Sequence, residues 1–428
     1  MTARSDPAAA RRPRGGLVRG TARTSRATGL LVLLLVLLAV PLAPGGLAAA
    51  LPPVRAGGWT PADPPRPSVK IIPGQYIVRL RPDVRPAEVL GMVKVKPLYV
   101  YTKVVNGFAA RLTTAEVVTV LQHPGVAVVE HDGLFQGFGP LPAEPLGPAP
   151  VRSWGLDRID QRYLPVAGGF EARHSGVGVT AYIVDSGIDP AGAEYANRLA
   201  PGYTVVQDGH GTGDCLGRGT AAATIVGGRT WGVARKVRLI PVRVVACDGT
   251  GTFSGKLAGL DWIARDNSHP SVAVIGGSGV NAPALEAPAL EAAALELARR
   301  NVFLTLAAGD GAARRCVASP AQVLSTLVVA ASTVADRPAG FGTTGPCVDL
   351  FAPGAAVVTA RPGGATIRTS GTLLAASYAA GVAALFKDAY GDVRSYVLLD
   401  RIRENATEGV LTGVPPDTPN RLLFTGGL

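Results

Sequence analysis

Apolar residues in this chain are distributed in three patterns, and each predicts a different kind of element. Residues 30–40 form an unbroken apolar run of eleven. That is short for a bilayer span, and it lies between an arginine-rich stretch and Pro41, Pro44 and Ala48-Ala49-Ala50. This order predicts a signal peptide over residues 1–50. A Pro-, Gly- and Arg-rich link follows over residues 51–69. Next comes an alternating pattern. Residues 75–80 and 103–112 read as strands, Thr113 to Glu116 opens a short helix with a capping box, and residues 126–130 close the unit as a strand. A small α+β domain is expected over residues 70–136, followed by a Pro-rich linker over 137–152. Beyond it, continuous runs at 179–184, 237–245, 272–275, 302–307 and 327–331 alternate with Ala- and Leu-rich helical stretches. Such runs are buried parallel strands covered on both faces, so an α/β domain is expected over residues 153–428. The duplicated Ala-Pro-Ala-Leu-Glu at 282–286 and 287–291 lengthens the start of one helix, with Pro288 in its first turn.

Charge modifies this picture only slightly. Of the formal +11, residues 1–29 carry +6 through seven arginines and one aspartate. The remainder holds no long basic run, which argues against a nucleic-acid partner. Four cysteines in an exported chain suggest two disulfides, and spacing alone selects none of the three pairings. Histidine is scarce and no CxxC occurs, so zinc is not expected.

Parallel sheets place their chemistry at the carboxyl ends of strands. Asp185, in Asp185-Ser186-Gly187-Ile188-Asp189, stands at such an end. Taken alone it reads as a turn or helix cap. Asp214-Cys215-Leu216-Gly217-Arg218-Gly219-Thr220, Ala307-Ala308-Gly309 and Ser370-Gly371-Thr372 accompany it. Together these motifs resemble the subtilisin-like serine proteases, or subtilases, and among them the disulfide-bearing, proteinase K-like secreted type. The small domain resembles the subtilase inhibitor pro-domain through Pro73-Gly74-Gln75-Tyr76-Ile77-Val78, Asn106 to Leu112 and Val129-Glu130-His131-Asp132. The resemblance implies a three-layer, parallel-sheet subtilisin fold preceded by a ferredoxin-like pro-domain.

The departures from the family pattern bear directly on function. Where the family carries its general-base His, this chain has Arg218, and Ala221 takes the place of the following His. The nucleophilic Ser position is Leu373 and the oxyanion Asn position is Asp310, so Asp185 alone remains of the triad. Leucine offers no nucleophile. An arginine side chain has donors only and cannot serve as a general base. An ionised carboxylate repels a developing oxyanion. The expectation is a secreted, monomeric, catalytically inactive homologue that binds a peptide or protein, which could be an active protease. Two alternatives stand beside it. One is an endopeptidase using rearranged groups such as His210, Ser370 or Ser377; the other is an inhibitor or folding helper of an active relative. A buried Asp185 that has lost its His needs a partner, and Arg218 is the expected one.

The resemblance implies further features. A peptide groove would lie between Gly249-Thr250-Gly251 and Gly276-Gly277-Ser278, the second wall departing from the family's Ser-Leu-Gly-Gly. Disulfides would join Cys215 to Cys247 and Cys316 to Cys347. No cofactor is required. A structural Ca²⁺ would be held at Asp349, although Leu324 stands where the partner loop carries a Pro in the family.

Overall fold

A computed structural model describes residues 68–136, 139–144, 146, 152–267, 269–276, 287–312 and 325–428. The expected signal peptide, Gly277, Ser278, Cys316, Leu324 and the first copy of the duplication lie outside these residues. The chain divides at residue 60, and everything described belongs to the second unit.

The N-terminal domain runs β1 (Ser68–Leu80), α1 (Pro86–Val93), β2 (Tyr99–Tyr101), β3 (Gly107–Arg111), α2 (Thr114–Leu121) and β4 (Val126–Gln136). β1 pairs antiparallel with both β3 and β4. Alternation along β1 divides its side chains between two cores. Val78 and Leu80 join Val89, Phe108 and Val120 beneath the two helices, whereas Ile77 joins Tyr101 and Phe135 on the opposite face. The capping box forms as the sequence predicts: Thr113 Oγ1 accepts from Glu116 N, and Glu116 Oε2 accepts from Thr113 N at 2.7 Å. The strand expected over 103–112 begins only at Gly107. The amides of Thr102, Lys103 and Val104 instead all donate to Asp261 Oδ1, at 2.7–3.1 Å, and are therefore unavailable to a ladder.

The large domain runs α3 (Trp154–Ile159), β5 (Thr180–Asp185), β6 (Tyr203–Thr204), α4 (Arg218–Gly227), β7 (Arg238–Arg243), β8 (Gly251–Thr252), α5 (Phe253–Asp266), β9 (Ser271–Ile275) and α6 (Pro288–Arg299). It continues with β10 (Val302–Ala307), β11 (Leu327–Ser332), β12 (Leu350–Pro353), β13 (Val357–Ala360), β14 (Thr366–Thr369), α7 (Thr372–Tyr390), α8 (Ser395–Asn405), β15 (Thr407–Glu408) and β16 (Arg421–Leu422). The central sheet has the order β15-β16-β12-β11-β10-β9-β5-β7-β6 and is parallel apart from the β15–β16 pair. β5, β9, β10 and β11 are buried along their whole length, which accounts for their continuous apolar sequences. One face packs α4 and α7 into an alanine-rich core, and the other packs α5 and α6. Among the described residues no helix is long and apolar enough to cross a membrane.

β8 does not join the central sheet. It pairs antiparallel with β4, with Leu134 opposite Thr252 and Phe135 opposite Gly251, so the sheet of the N-terminal domain continues into the large domain. Ile77, Tyr101, Val104 and Phe135 share one core with Val244, Leu257 and Leu290. The polar contacts across this junction are specific. Asp132 Oδ1 accepts from the amide of Ser254 at the start of α5, and Gln75 holds its other oxygen at 2.6 Å. Glu130 Oε1 accepts from the amide of Ala289 at the start of α6. Each carboxylate satisfies an orphan N–H and lies at the positive end of a helix dipole.

Glu130 makes this junction sensitive to pH. Its Oε2 is buried without a hydrogen-bond partner, and burial raises the carboxyl from 4.5 to about 7 against the pull of Arg79 and the Ala289 amide, with Asp132 and Glu291 adding to the rise. The folded state thus binds the proton more tightly than the unfolded state. Its contribution is complete below about pH 4.5, declines as pH rises to about 7, and is constant above that. Urea unfolding followed from pH 4 to 8 should show this decline, on the order of 2–3 kcal/mol. Glu130→Gln should abolish that component of the slope and gain stability at pH 8.

Candidate functional site

Four sequence-selected positions lie at element ends around the carboxyl edge of the central sheet. Asp185 ends β5, Arg218 begins α4, Leu373 is the second residue of α7, and Asp310 follows β10 by three residues. α4 and α7 pack directly on one another.

Asp185 is fully buried and forms an ion pair with Arg218, itself 6% exposed. Arg218 Nε lies 3.2 Å from Asp185 Oδ1, and a terminal guanidinium nitrogen lies 3.4 Å from Oδ2. Oδ1 also accepts from Ser186 N at 2.8 Å. Gly276 makes room for this carboxylate, since a Cβ there would fall 1.8 Å from Oδ2. A cation in the first turn of a helix opposes the helix dipole. Two carboxylates offset it here: Asp185, and Asp214, which accepts from the amides of Leu216, Gly217 and Thr220.

Asp310 serves a different purpose from that of a neutral amide donor. Its Oδ1 accepts from both N and Oγ1 of Thr372 at 2.7 Å, and Thr372 Oγ1 accepts from Gly309 N. Gly371, at the N-cap, has no side chain with which to cap α7, so the carboxylate comes from another strand end. Leu373, 2% exposed, belongs to the same apolar core as Ala221, Leu374 and Ala375. This arrangement contains an ion pair, a helix cap and a core leucine.

The candidate replacement groups are committed elsewhere. Ser370 Oγ accepts from Ala356 N, and Ser377, fully buried, donates to the carbonyl of Leu373 one turn earlier. His210 is exposed on a loop anchored by Asp208, whose carboxylate pairs with Arg243 and is held at about 2 by it. Among the described residues no hydrogen bond links His210 to either serine.

One wall of the expected groove is paired by the chain itself. β4 lies along β8, which holds Gly251 of the Gly249-Thr250-Gly251 wall; Gly276 is the only described member of the opposite wall. Beyond β4 the chain continues past the Arg218 loop. Leu141 N donates to Leu216 O at 3.4 Å, and Glu144 N donates to Arg368 O at 2.7 Å, forming a bridge to β14. The chain therefore makes backbone contacts with the large domain on both sides of residues 137–138.

Sequence reasoning did not identify Lys256. It is buried on the inner side of α5, its Nζ 4.4 Å from the centroid of the Phe135 ring. Burial lowers its ammonium to about 8, with Asp185 opposing the shift and Arg218 adding to it. A lysine one turn into an apolar helix carries no motif. Its role depends on Phe135, more than a hundred residues earlier.

Cys215 and Cys247 form a disulfide between the loop before Arg218 and the loop before β8. Cys347 is also disulfide-bonded; Cys316, its expected partner, lies outside the described residues. Asp349 does not fit the expected Ca²⁺ site. Its Oδ1 accepts from Nε and a terminal nitrogen of Arg403, and its Oδ2 accepts from Val328 N. A guanidinium thus supplies positive charge where the expected site calls for a cation.

Comparison with known proteins agrees with this architecture. The model of the Subtilase family matches residues 176–421, and that of the Peptidase inhibitor I9 family matches residues 79–136. The chain is 34% identical to alkaline serine exoprotease A of Vibrio alginolyticus over 339 residues, which is 78% of this chain and 61% of that protein. It is 35% identical to the extracellular serine proteinase of Thermus sp. (strain Rt41A), covering 78% of this chain and 79% of the relative. A crystal structure of a cold adapted subtilisin-like serine proteinase superposes with a TM-score of 0.61 at 38% identity, covering 64% of this chain and 98% of that one.

Proposed function

Since this chain belongs to the subtilase family and carries the inhibitor-type pro-domain, we propose that it is a secreted protease homologue that has exchanged hydrolysis for binding, and that it keeps its pro-domain. The observation that carries this reading is the Asp185–Arg218 ion pair. Hydrolysis in this family needs a base to take the nucleophile's proton. Here the carboxylate that would orient the base is neutralised by a group with donors only. Leu373 in the core and Asp310 bound to Thr372 agree with it. Secretion is supported by the leader-like N-terminus and by the Thermus relative, which is named as extracellular.

The ligand class follows from the occupant of the groove. β8 accepts an extended strand by backbone pairing, a form of β-augmentation, and is paired here by residues 134–135 of the chain itself. An external ligand of this site is an extended peptide segment that displaces the end of β4. The inhibitor reading is weaker, because the pro-domain face that would cover a relative is already buried against α5 and α6 of its own chain.

Release of a subtilase pro-domain by self-cleavage requires the triad. Purified protein kept free of other proteases should therefore retain an unbroken link between the two domains for days at 25 °C, read as constant intact mass. Appearance of two fragments, with the break at residues 136–141, would overturn the proposal.

A further inference from the structure

The carboxyl end of β7 sets a guanidinium against a disulfide. Arg243 closes the strand, fully buried, and its Nη2 lies 3.5 Å from Sγ of Cys215 and 3.3 Å from Sγ of Cys247. Its Nη1 donates to Asp208 Oδ1 at 2.7 Å and to the carbonyl of Gly211. Asp208 Oδ2 in turn lies 3.4 Å from Cys247 Sγ. The carboxylate and the two sulfurs are within 4.8 Å of one another, close enough to share a metal ion, but the guanidinium contacts all three and supplies the positive charge itself. Both cysteines are half-buried rather than enclosed.

A disulfide sulfur carries no proton and accepts weakly, so it gains little from these neighbours. The reduced pair gains much more. A thiolate at Cys215 accepts from Arg243, the kind of neighbour that lowers a thiol's pKa, and a thiol at Cys247 donates to Asp208. The surroundings thus favour the reduced state and the thiolate leaving group on the way to it. We propose that Cys215–Cys247 is a reversible thiol–disulfide exchange site, opened by an external dithiol. A thiolate of the dithiol attacks Cys247 Sγ and forms a mixed disulfide, while the bond between the cysteines breaks and Cys215 leaves as a thiolate beside Arg243. The dithiol's second sulfur then displaces Cys247, which takes up its proton and donates to Asp208. Two electrons pass to the protein, the dithiol becomes a cyclic disulfide, and its other proton goes to solvent. Opening cuts the tie between the loop before α4, where Leu216 O accepts from Leu141 N, and the loop before β8, which pairs with β4. Two of the places at which the large domain holds residues 134–141 are loosened together. The exchange site stands whether or not the groove takes an outside peptide.

The test equilibrates the full chain in mixtures of reduced and oxidised dithiothreitol without denaturant, and scores the Cys215 and Cys247 peptides for alkylation by mass spectrometry. In the wild type this pair should open while the amides of β5, β9 and β10 stay protected from hydrogen exchange and those of residues 209–217 and 246–252 lose protection. Arg243→Gln should lower the equilibrium constant for reduction about tenfold, which is about 30 mV for a two-electron couple. Asp208→Asn leaves the guanidinium to the sulfurs alone and should raise the constant a few-fold. The opposite signs exclude a purely structural effect, because a variant that merely loosened the fold would ease reduction in both cases. Should Arg243→Gln fail to fold, Arg243→Lys, whose shorter side chain can satisfy Asp208 but not both sulfurs, should lower the constant in the same sense. An unchanged or raised constant in the Arg243 variant, or a wild-type disulfide that opens only with loss of protection in the central sheet, would overturn the proposal.

Discussion

A fluorogenic peptide will remain uncut by the wild-type protein, whereas Arg218→His/Asp310→Asn/Leu373→Ser will hydrolyse it. The contrast is large because the groups act as a unit: in subtilisin, loss of the Ser or the His alone costs about 10⁶ in turnover, and the losses do not add. Restoring Arg218→His or Leu373→Ser alone should accordingly recover almost nothing. The triple variant has a further consequence. Its own chain is held against the groove at Phe135–Gly251 and again at Leu141–Leu216. Its first substrate should be itself, with the break at residues 136–141. Two fragments on a denaturing gel, preceding peptide hydrolysis, are the expected order of events. Hydrolysis by the wild type that is abolished by Ser370→Ala or His210→Ala would instead identify a relocated catalytic set.

Arg218→Ala should destabilise the large domain by about 3–5 kcal/mol, since it leaves a fully buried carboxylate with one backbone donor as its remaining short contact among the described residues. For a domain of this size that corresponds to a fall in melting temperature on the order of 10 °C. Arg218→Met with Asp185→Asn should recover most of the loss, because removing both charges also removes the desolvation cost. An unchanged melting temperature for Arg218→Ala would mean that the pair seen in the structure contributes no stability. Arg218→His is expected to fall between these values, so the triple variant of the first experiment starts from a less stable fold and is best assayed at low temperature.

The pairing of Asp185 with Arg218 was legible in the sequence because both ends of the argument are local. A strand end fixes the carboxylate, a helix start fixes the arginine, and a buried charge requires a partner. The continuous apolar strands were legible for the same reason, since burial on both faces leaves a pattern independent of what lies opposite. Features that depend on a distant partner were not. The strand expected from residue 103 starts at Gly107 because Asp261 claims three amides, and nothing in residues 102–104 encodes that acceptor. Asp310 reads in the motif as an oxyanion position unable to donate, whereas its positive role as the cap of α7 emerges only when β10 brings it to Thr372. Asp349 matches a calcium ligand by sequence, and only the fold shows Arg403 bound to it.

The uncut linker also sets how strongly any outside ligand must bind. A strand joined covalently to its own groove is present there at an effective concentration of about a millimolar or more. If that strand closes the groove with an intrinsic constant near 1 μM, it raises the apparent constant of a free peptide about a thousandfold. A ligand of ordinary micromolar affinity would then be invisible at physiological concentrations. Partners able to open this protein are those that contact a second surface as well, or those displayed in many copies.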